Sequence, residues 1–176
     1  MANDTQRTWG VTPLDTMKAM TGLEFLSAIR DGRLPGPPIA RLLGFDLVEV
    51  EHGRAVFAGV PADDHYNPIG SVHGGYAATL LDSCMACAVQ STLPQGIGYT
   101  TLEFKVSLAR AITAATGPVR AEGSILTVGR RVGTAEGRLV GLISLSDLAR
   151  RLPAESAETC TALLRTLAEV SVPRGA

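Results

Sequence analysis

An acidic residue, Asp82, lies in the middle of a stretch dominated by Ala, Leu, Met and Cys at residues 74–92. A lone carboxylate on such a surface is costly to bury unless it is paired or hydrogen-bonded. Gly74 and Gly75 stand where this helix would begin, and glycine lets a ligand approach the backbone closely. The first N–H groups of a helix lack internal partners and lie at the positive end of its dipole. Such amides can hold the oxygen of a polarised carbonyl.

Two side chains of the preceding loop, His73 and Asn67, can orient a substrate or a water molecule beside these amides. Asp82 follows eight residues after Gly74, which is roughly 12 Å along a helix axis. One helix cannot easily bring its own Asp82 to its own Gly74 amide, whereas two antiparallel copies in a dimer could. The pattern therefore favours a buried acid at a site shared by two protomers. The alternatives are an exposed Asp82 and a His73 and Asn67 that only stabilise turns.

The elements that would position these groups follow from the spacing of apolar residues. Helical spacing covers 14–31, where Gly22 allows two short helices, and one more helical turn is expected at 39–44. Alternation predicts a hairpin over 45–60 that turns near His52-Gly53. The long helix comes next, and three further strands are predicted at 97–109, 118–128 and 131–145.

This order of elements favours an α+β fold in which an antiparallel sheet wraps around one apolar helix. A parallel sheet would need more crossover helices between its strands than the chain supplies. Residues 1–11 are polar, and we expect them to be disordered.

The overall composition is that of an ordinary globular protein, with 45% hydrophobic and 19% charged residues. A net charge of −1 over 176 residues gives no reason to expect nucleic acid or an anionic membrane as a partner. The first ten residues lack the apolar core of a signal peptide, and Asp82 interrupts the longest apolar run. These features predict a cytoplasmic protein.

The three cysteines are Cys84, Cys87 and Cys160. Cys84 and Cys87 form a C-x-x-C pattern, but a redox pair needs its first cysteine at a helix N-terminus, and here both lie inside the helix. A structural zinc site would need a second pair of ligands, which the sequence lacks. We therefore interpret the cysteines as buried apolar residues and expect no metal.

Residues 40–140 resemble the hotdog-fold thioesterases, and in particular the PaaI-like acyl-CoA group. The resemblance rests on the loop NPIGSVHGG, on Asp82 nine residues after His73, on the segment YTTLEFKVSLARAI, and on GSILTVGRRVGTAEGRLV. It implies that Asp82 acts as nucleophile or general base on a thioester carbonyl. It also implies that the Gly74 N–H polarises this carbonyl, while Asn67 and His73 position substrate or water.

The same resemblance implies an acyl-CoA substrate, and coenzyme A is then part of the substrate and not a cofactor. Gly75 and Ser83 are assigned to substrate binding, and Thr79 and Ser83 are candidates to hydrogen-bond Asp82. Arg130 and Arg131 follow a turn glycine and could bind the CoA phosphates, although a solvated turn pair is equally consistent. The family uses no metal or redox cofactor and forms homodimers, which often pair into tetramers.

The resemblance divides the chain into an N-terminal helical extension (1–38), a hotdog domain (39–145) and an atypical tail (146–176). The stretch GRLVGLISLSDLARR resembles the end of a CBS module, but too little chain is present for a complete one. The tail could supply a last strand from TCTALL, or it could leave the sheet edge to a helix.

Two other functions remain open at this point. One is a hotdog hydratase or dehydratase, and the other is a non-catalytic acyl-CoA binding module with the tail as its sensor. The acyl group is not specified, because Tyr76, Met85 and Phe104 could line a pocket or belong to the core.

Overall fold

The computed structural model describes residues 7–141. The tail with its CBS-like stretch, together with Cys160, lies outside the described residues, so the proposed division into domains stays a prediction. Four helices and four strands make up the described part, apart from two short 3-10 turns. Their bounds are α1 Leu14–Lys18, α2 Gly22–Arg30, α3 Pro38–Leu43, β1 Phe45–Glu51, β2 Arg54–Gly59, α4 Gly74–Gln90, β3 Val119–Val128 and β4 Gly133–Gly141.

The N-terminal helical pattern divides into two helices, as Gly22 indicated. Thr21 caps α2 by accepting a hydrogen bond from the Glu24 N–H, and the Glu24 carboxylate accepts one from the Thr21 N–H at 2.8 Å. Gly22 is needed at the start of α2 because an added Cβ would overlap the carbonyl of Gln90. The N-terminal helices are thereby seated against the end of α4.

The predicted disorder of residues 1–11 is wrong for its described part. Gly10 N–H donates to the Gly36 carbonyl at 3.0 Å, and Gly36 N–H donates to the Thr8 carbonyl at 2.9 Å. Arg7 forms an ion pair with Asp46 and stacks over the Trp9 ring, 5.2 Å from its centroid. The contacts with Gly36 and Asp46 are long-range, and the polar composition of the segment could not reveal them.

The sheet is antiparallel, with its strands in the order β1-β2-β3-β4. The hairpin predicted over 45–60 is confirmed, and Phe45 pairs with Gly59, which in turn pairs with Val119 of β3. Arg54 joins the three strands on the outer face through ion pairs with Glu49 and Glu122. The strands predicted at 118–128 and 131–145 are β3 and β4 in most of their length, while residues 142–145 lie outside the described part.

α4 packs its apolar face directly on the sheet. Leu80 and Cys84 of this helix are fully buried, as are Val56 of β2 and Val119 of β3. Close approach depends on Gly123 in β3, where an added Cβ would overlap the Cys84 carbonyl and come within 2.7 Å of a backbone nitrogen. Asp82 lies outside the buried face, so the helix supplies the core and also carries the candidate acid.

The strand predicted at 97–109 is wrong for the structure described. None of β1–β4 forms a ladder with this segment, which is exposed along its whole length. Alternation of apolar and polar side chains favours a strand, but a strand forms only where a neighbouring strand pairs with its backbone N–H and C=O groups. The segment instead passes along α4, where Thr101 meets Asp82 and Leu108 meets Gly74.

The α+β arrangement predicted from the order of elements is confirmed: an antiparallel sheet packs on one long helix. Across residues 7–141 we find no helix with both the length and the apolar character needed to cross a bilayer.

Candidate active site

The N-terminus of α4 is capped by His73. Its imidazole Nδ1 accepts a hydrogen bond from the Gly75 N–H at 2.9 Å, and the backbone N–H of His73 donates to the His65 carbonyl at 2.7 Å. An accepting Nδ1 means that the proton of the neutral imidazole is on Nε2. The Gly74 N–H has no acceptor within residues 7–141. Of the two glycine amides, Gly74 is therefore the one available to a ligand.

Asn67 organises the loop before this helix. Its side-chain oxygen accepts hydrogen bonds from the N–H groups of Ile69 and Ser71, at 3.1 and 3.3 Å, and its amide nitrogen donates to the Ser71 hydroxyl at 3.1 Å. This is an Asx-type turn, which matches the turn interpretation of Asn67. One hydrogen of the Asn67 amide is left for another partner.

Asp82 is half-buried and accepts a hydrogen bond at 3.0 Å from the hydroxyl of Thr101. The interpretation that Thr79 and Ser83 support Asp82 is wrong. Their hydroxyls donate to backbone carbonyls one turn earlier, at 2.8 and 2.7 Å. Sequence reasoning missed Thr101, because no spacing rule links residues 19 positions apart that meet only in the tertiary structure.

The predicted residues form two groups on one protomer. Asn67, His73 and Gly74 lie at or just before the start of α4, while Asp82 lies two turns further along it, hydrogen-bonded to Thr101. Eight residues of helix separate Gly74 from Asp82, roughly 12 Å along the axis at about 1.5 Å per residue. A single protomer does not bring the acid to the amide.

Arg130 and Arg131 lie in the exposed turn that joins β3 to β4. The turn is closed by a hydrogen bond of 2.9 Å from the Gly129 N–H to the Val132 carbonyl. Neither arginine forms an ion pair with an acid in the part of the chain that the structure describes. Both guanidinium groups are accessible to an anion.

Cys84 is buried and Cys87 is half-buried, and both are free thiols. Burial raises the pKa of each to about 12, so they stay protonated at neutral pH. The interpretation as a buried apolar residue is confirmed for Cys84, while Cys87 is only half-buried. Among residues 7–141 there is no cluster of three His, Cys, Asp or Glu that could hold a metal ion. The absence of a cofactor stays a prediction.

The three candidate pocket residues, Tyr76, Met85 and Phe104, differ in how deeply they are buried. Tyr76 is a core residue, with its ring stacked on His65 at 4.5 Å between centroids, and Met85 packs against the same core. Burial raises the pKa of the Tyr76 hydroxyl to about 12. Phe104 is exposed on the segment beside α4 and is the most exposed of the three.

The chain is similar to known proteins in sequence and in fold. Residues 69–141 match the family model of the Thioesterase superfamily. The chain is 32% identical over 127 residues to a protein of Halobacterium salinarum named "putative esterase", an alignment that covers 61% of this chain and 80% of that protein.

Two solved structures are similar as well. A phenylacetic acid degradation-related protein from Ralstonia eutropha has a TM-score of 0.60 and 30% identity, over 66% of this chain and 88% of that one. A mutant of the phenylacetic acid degradation protein PaaI from Thermus thermophilus has a TM-score of 0.54 and 28% identity, over 60% and 90%.

The chain belongs to the thioesterase superfamily. It is a thioester hydrolase of the hotdog fold, and its structural neighbours are PaaI-like proteins. The family resemblance and the fold inferred from the sequence are thereby confirmed.

Proposed function

We propose that the protein hydrolyses small or medium acyl- or aryl-CoA thioesters in the cytoplasm. Asp82 is the nucleophile or general base, the Gly74 N–H is the oxyanion donor, and each site is shared by two protomers. The observation that carries this proposal is that α4 presents both a carboxylate, Asp82, and a backbone N–H without an acceptor in residues 7–141, that of Gly74. A half-buried carboxylate held by Thr101 and an N–H without an acceptor in residues 7–141 are the two groups that acyl transfer requires.

In the proposed reaction the Gly74 N–H donates to the thioester oxygen and stabilises the negative charge that develops on it. If Asp82 is the nucleophile, its oxygen bonds to the carbonyl carbon, the C–S bond breaks, and water then hydrolyses the mixed anhydride. If Asp82 is the base, it takes a proton from the water that attacks the same carbon. In both cases the thiolate of CoA leaves and takes up a proton.

His73 and Asn67 have supporting roles in this proposal. His73 fixes the start of α4, and its Nε2–H can donate to substrate or water, while the spare Asn67 amide hydrogen can do the same. Gly75 contributes through this cap, since its N–H is already bonded to His73. Ser83 holds the helix backbone one turn from Asp82, which makes its part in substrate binding indirect.

The proposed dimer is supported by the length of α4. Because Gly74 and Asp82 are roughly 12 Å apart along one helix, an antiparallel second copy is needed to place the acid of one protomer at the amide of the other. We propose a homodimer, with dimers pairing into tetramers. Arg130 and Arg131, exposed in the β3–β4 turn, would bind the phosphates of CoA.

The proposal is tested by measuring thiol release from a panel of acyl-CoA and aryl-CoA substrates. We expect turnover by the wild type, and Asp82→Asn should lower kcat by about 10² or more, the order of effect of losing a catalytic base. Asp15→Asn, which removes an exposed acid on α1, is the matched control and should keep full activity.

Three other results would count against the proposal. Water addition without thiol release would indicate a hydratase, and tight binding without turnover would indicate a binding module. Full activity in a folded Asp82→Asn protein would remove Asp82 from the mechanism.

A further inference from the structure

Leu108 lies directly over the Cα of Gly74. A Cβ built on Gly74 would be 2.7 Å from the Cδ1 atom of Leu108. Since a carbon–carbon bond is about 1.5 Å long, this methyl group lies no more than about 4 Å from the Gly74 Cα. Half of the Leu108 side chain is exposed, 51% by area. The residue thus covers the first turn of α4 without being part of the core.

The chain around Leu108 is held in place by the loop that carries Gly74. The Val72 N–H donates to the Ile112 carbonyl at 2.9 Å, and the Ala114 N–H donates to the Tyr66 hydroxyl at 2.9 Å. Ile112 also packs against the hydrophobic core. Leu108 therefore lies four residues before Ile112, which is hydrogen-bonded to Val72, two residues before Gly74.

We propose that Leu108 determines which acyl groups the site accepts, admitting acyl chains that are unbranched beside the carbonyl and disfavouring α-branched ones. The proposal rests on the proposed function, in which the Gly74 N–H binds the thioester oxygen. That oxygen would lie about 2.9 Å from the Gly74 nitrogen, so the carbonyl carbon and its neighbour come within reach of the Leu108 methyl groups. A methyl branch on the α-carbon would have to occupy the same volume.

The test compares butyryl-CoA with isobutyryl-CoA, two acyl groups of equal composition that differ only in branching at the α-carbon. Leu108→Ala should raise kcat/KM for isobutyryl-CoA relative to butyryl-CoA about tenfold, the scale of one methyl group in a hydrophobic pocket. Leu108→Phe should move the ratio the other way. Leu42→Ala removes a leucine that is 78% exposed on α3, and it should leave the ratio within twofold of wild type.

An unchanged ratio in an active Leu108→Ala protein would overturn the proposal. An equal change for both substrates would also overturn it, because it would place Leu108 against the pantetheine arm. Leu108→Val, a smaller truncation, should shift the ratio in the same direction by less and serves if the alanine variant does not fold. A wild type that releases no thiol from any member of the acyl-CoA and aryl-CoA panel would instead refute the proposed function, and the Leu108 assignment with it.

Discussion

At the scale of single residues, one hydrogen bond distinguishes two adjacent glycines. His73 Nδ1 accepts a hydrogen bond from the N–H of Gly75, whereas the N–H of Gly74 has no acceptor in the described part of the chain. A capping side chain at this position thus has a chemical effect as well as a structural one, since it selects which amide faces a ligand. The proposed oxyanion donor follows from this choice.

Gly74→Pro should lower kcat by about 10² to 10³, because it removes one oxyanion donor, while its Cβ meets Leu108 just as the alanine Cβ does. Proline is favoured at the first position of a helix, and His73 already has the extended backbone (φ −60, ψ 134) that a residue before proline requires. Gly74→Ala keeps the N–H but meets Leu108 at 2.7 Å, so its loss should be smaller and partly in KM. Steady-state kinetics and circular dichroism on both variants check this.

A Gly74→Pro protein that folds and keeps the wild-type kcat would show that the carbonyl is held by another donor. Equal losses for the proline and alanine variants would point to crowding near Leu108 and not to the missing N–H.

Thr101→Val should lower kcat about tenfold or more, because the hydroxyl that holds Asp82 is lost and hydrogen bonds to charged groups contribute about 1.5–3 kcal/mol. Thr101→Ser keeps the hydroxyl and should retain most of the activity. Valine has the shape of threonine, so the two variants separate the hydrogen bond from packing. Low activity in both variants would assign Thr101 a packing role.

At the scale of elements, the position of α4 on the sheet depends on glycines in β3 and β4. Added Cβ atoms at Gly137 and Gly133 would lie 2.9 Å from Met85 and 2.8 Å from Val89, in both cases from side-chain atoms. At Gly123 the neighbours are backbone atoms of Cys84 and Met85, which cannot move without shifting the helix. The helix that carries both candidate catalytic groups is thus fixed most strictly at Gly123.

Gly123→Ala should destabilise the fold by about 3 kcal/mol, at the upper end of the usual cost of overpacking. The measurement is the free energy of unfolding in urea. Gly98→Ala is the control, because an added Cβ there meets nothing within 4 Å, and a surface substitution of this kind changes stability by at most about 0.5 kcal/mol. Equal stability of the two variants would mean that α4 lies further from β3 than the structure places it.

At the scale of the whole molecule, the proposed site requires two chains. Mixed dimers of Asp82→Ala chains and Gly74→Pro chains should contain one intact site, formed by Gly74 of the first chain and Asp82 of the second. Heterodimers isolated through two different affinity tags should approach half of the wild-type activity, while each parent homodimer stays about 10² below it.

Two results would refute the shared site. One is a verified heterodimer no more active than its parents, and the other is a fully active monomer in sedimentation at the assay concentration.

Local sequence was sufficient to predict much of this protein. The division of the N-terminal helices at Gly22, the turn at His52-Gly53 and the start of α4 after His73 depend on capping, glycine and periodicity, which act over a few residues. Asp82 also stood out locally, as an acid within an apolar helix. The order of these elements then sufficed for the α+β class, because few architectures can bury one helix on an antiparallel sheet.

Tertiary structure alone decided the rest. Thr101 donates the hydrogen bond that Asp82 accepts, and the side chain of Leu108 covers Gly74. Trp9 forms a β-bridge with Gly36. The segment 97–109 has the alternation of a strand but no strand among β1–β4 to pair with. Each of these contacts joins residues that are far apart in sequence. Such a contact forms only in the folded chain, because no local spacing pattern links its two residues, and the sequence alone therefore does not predict it.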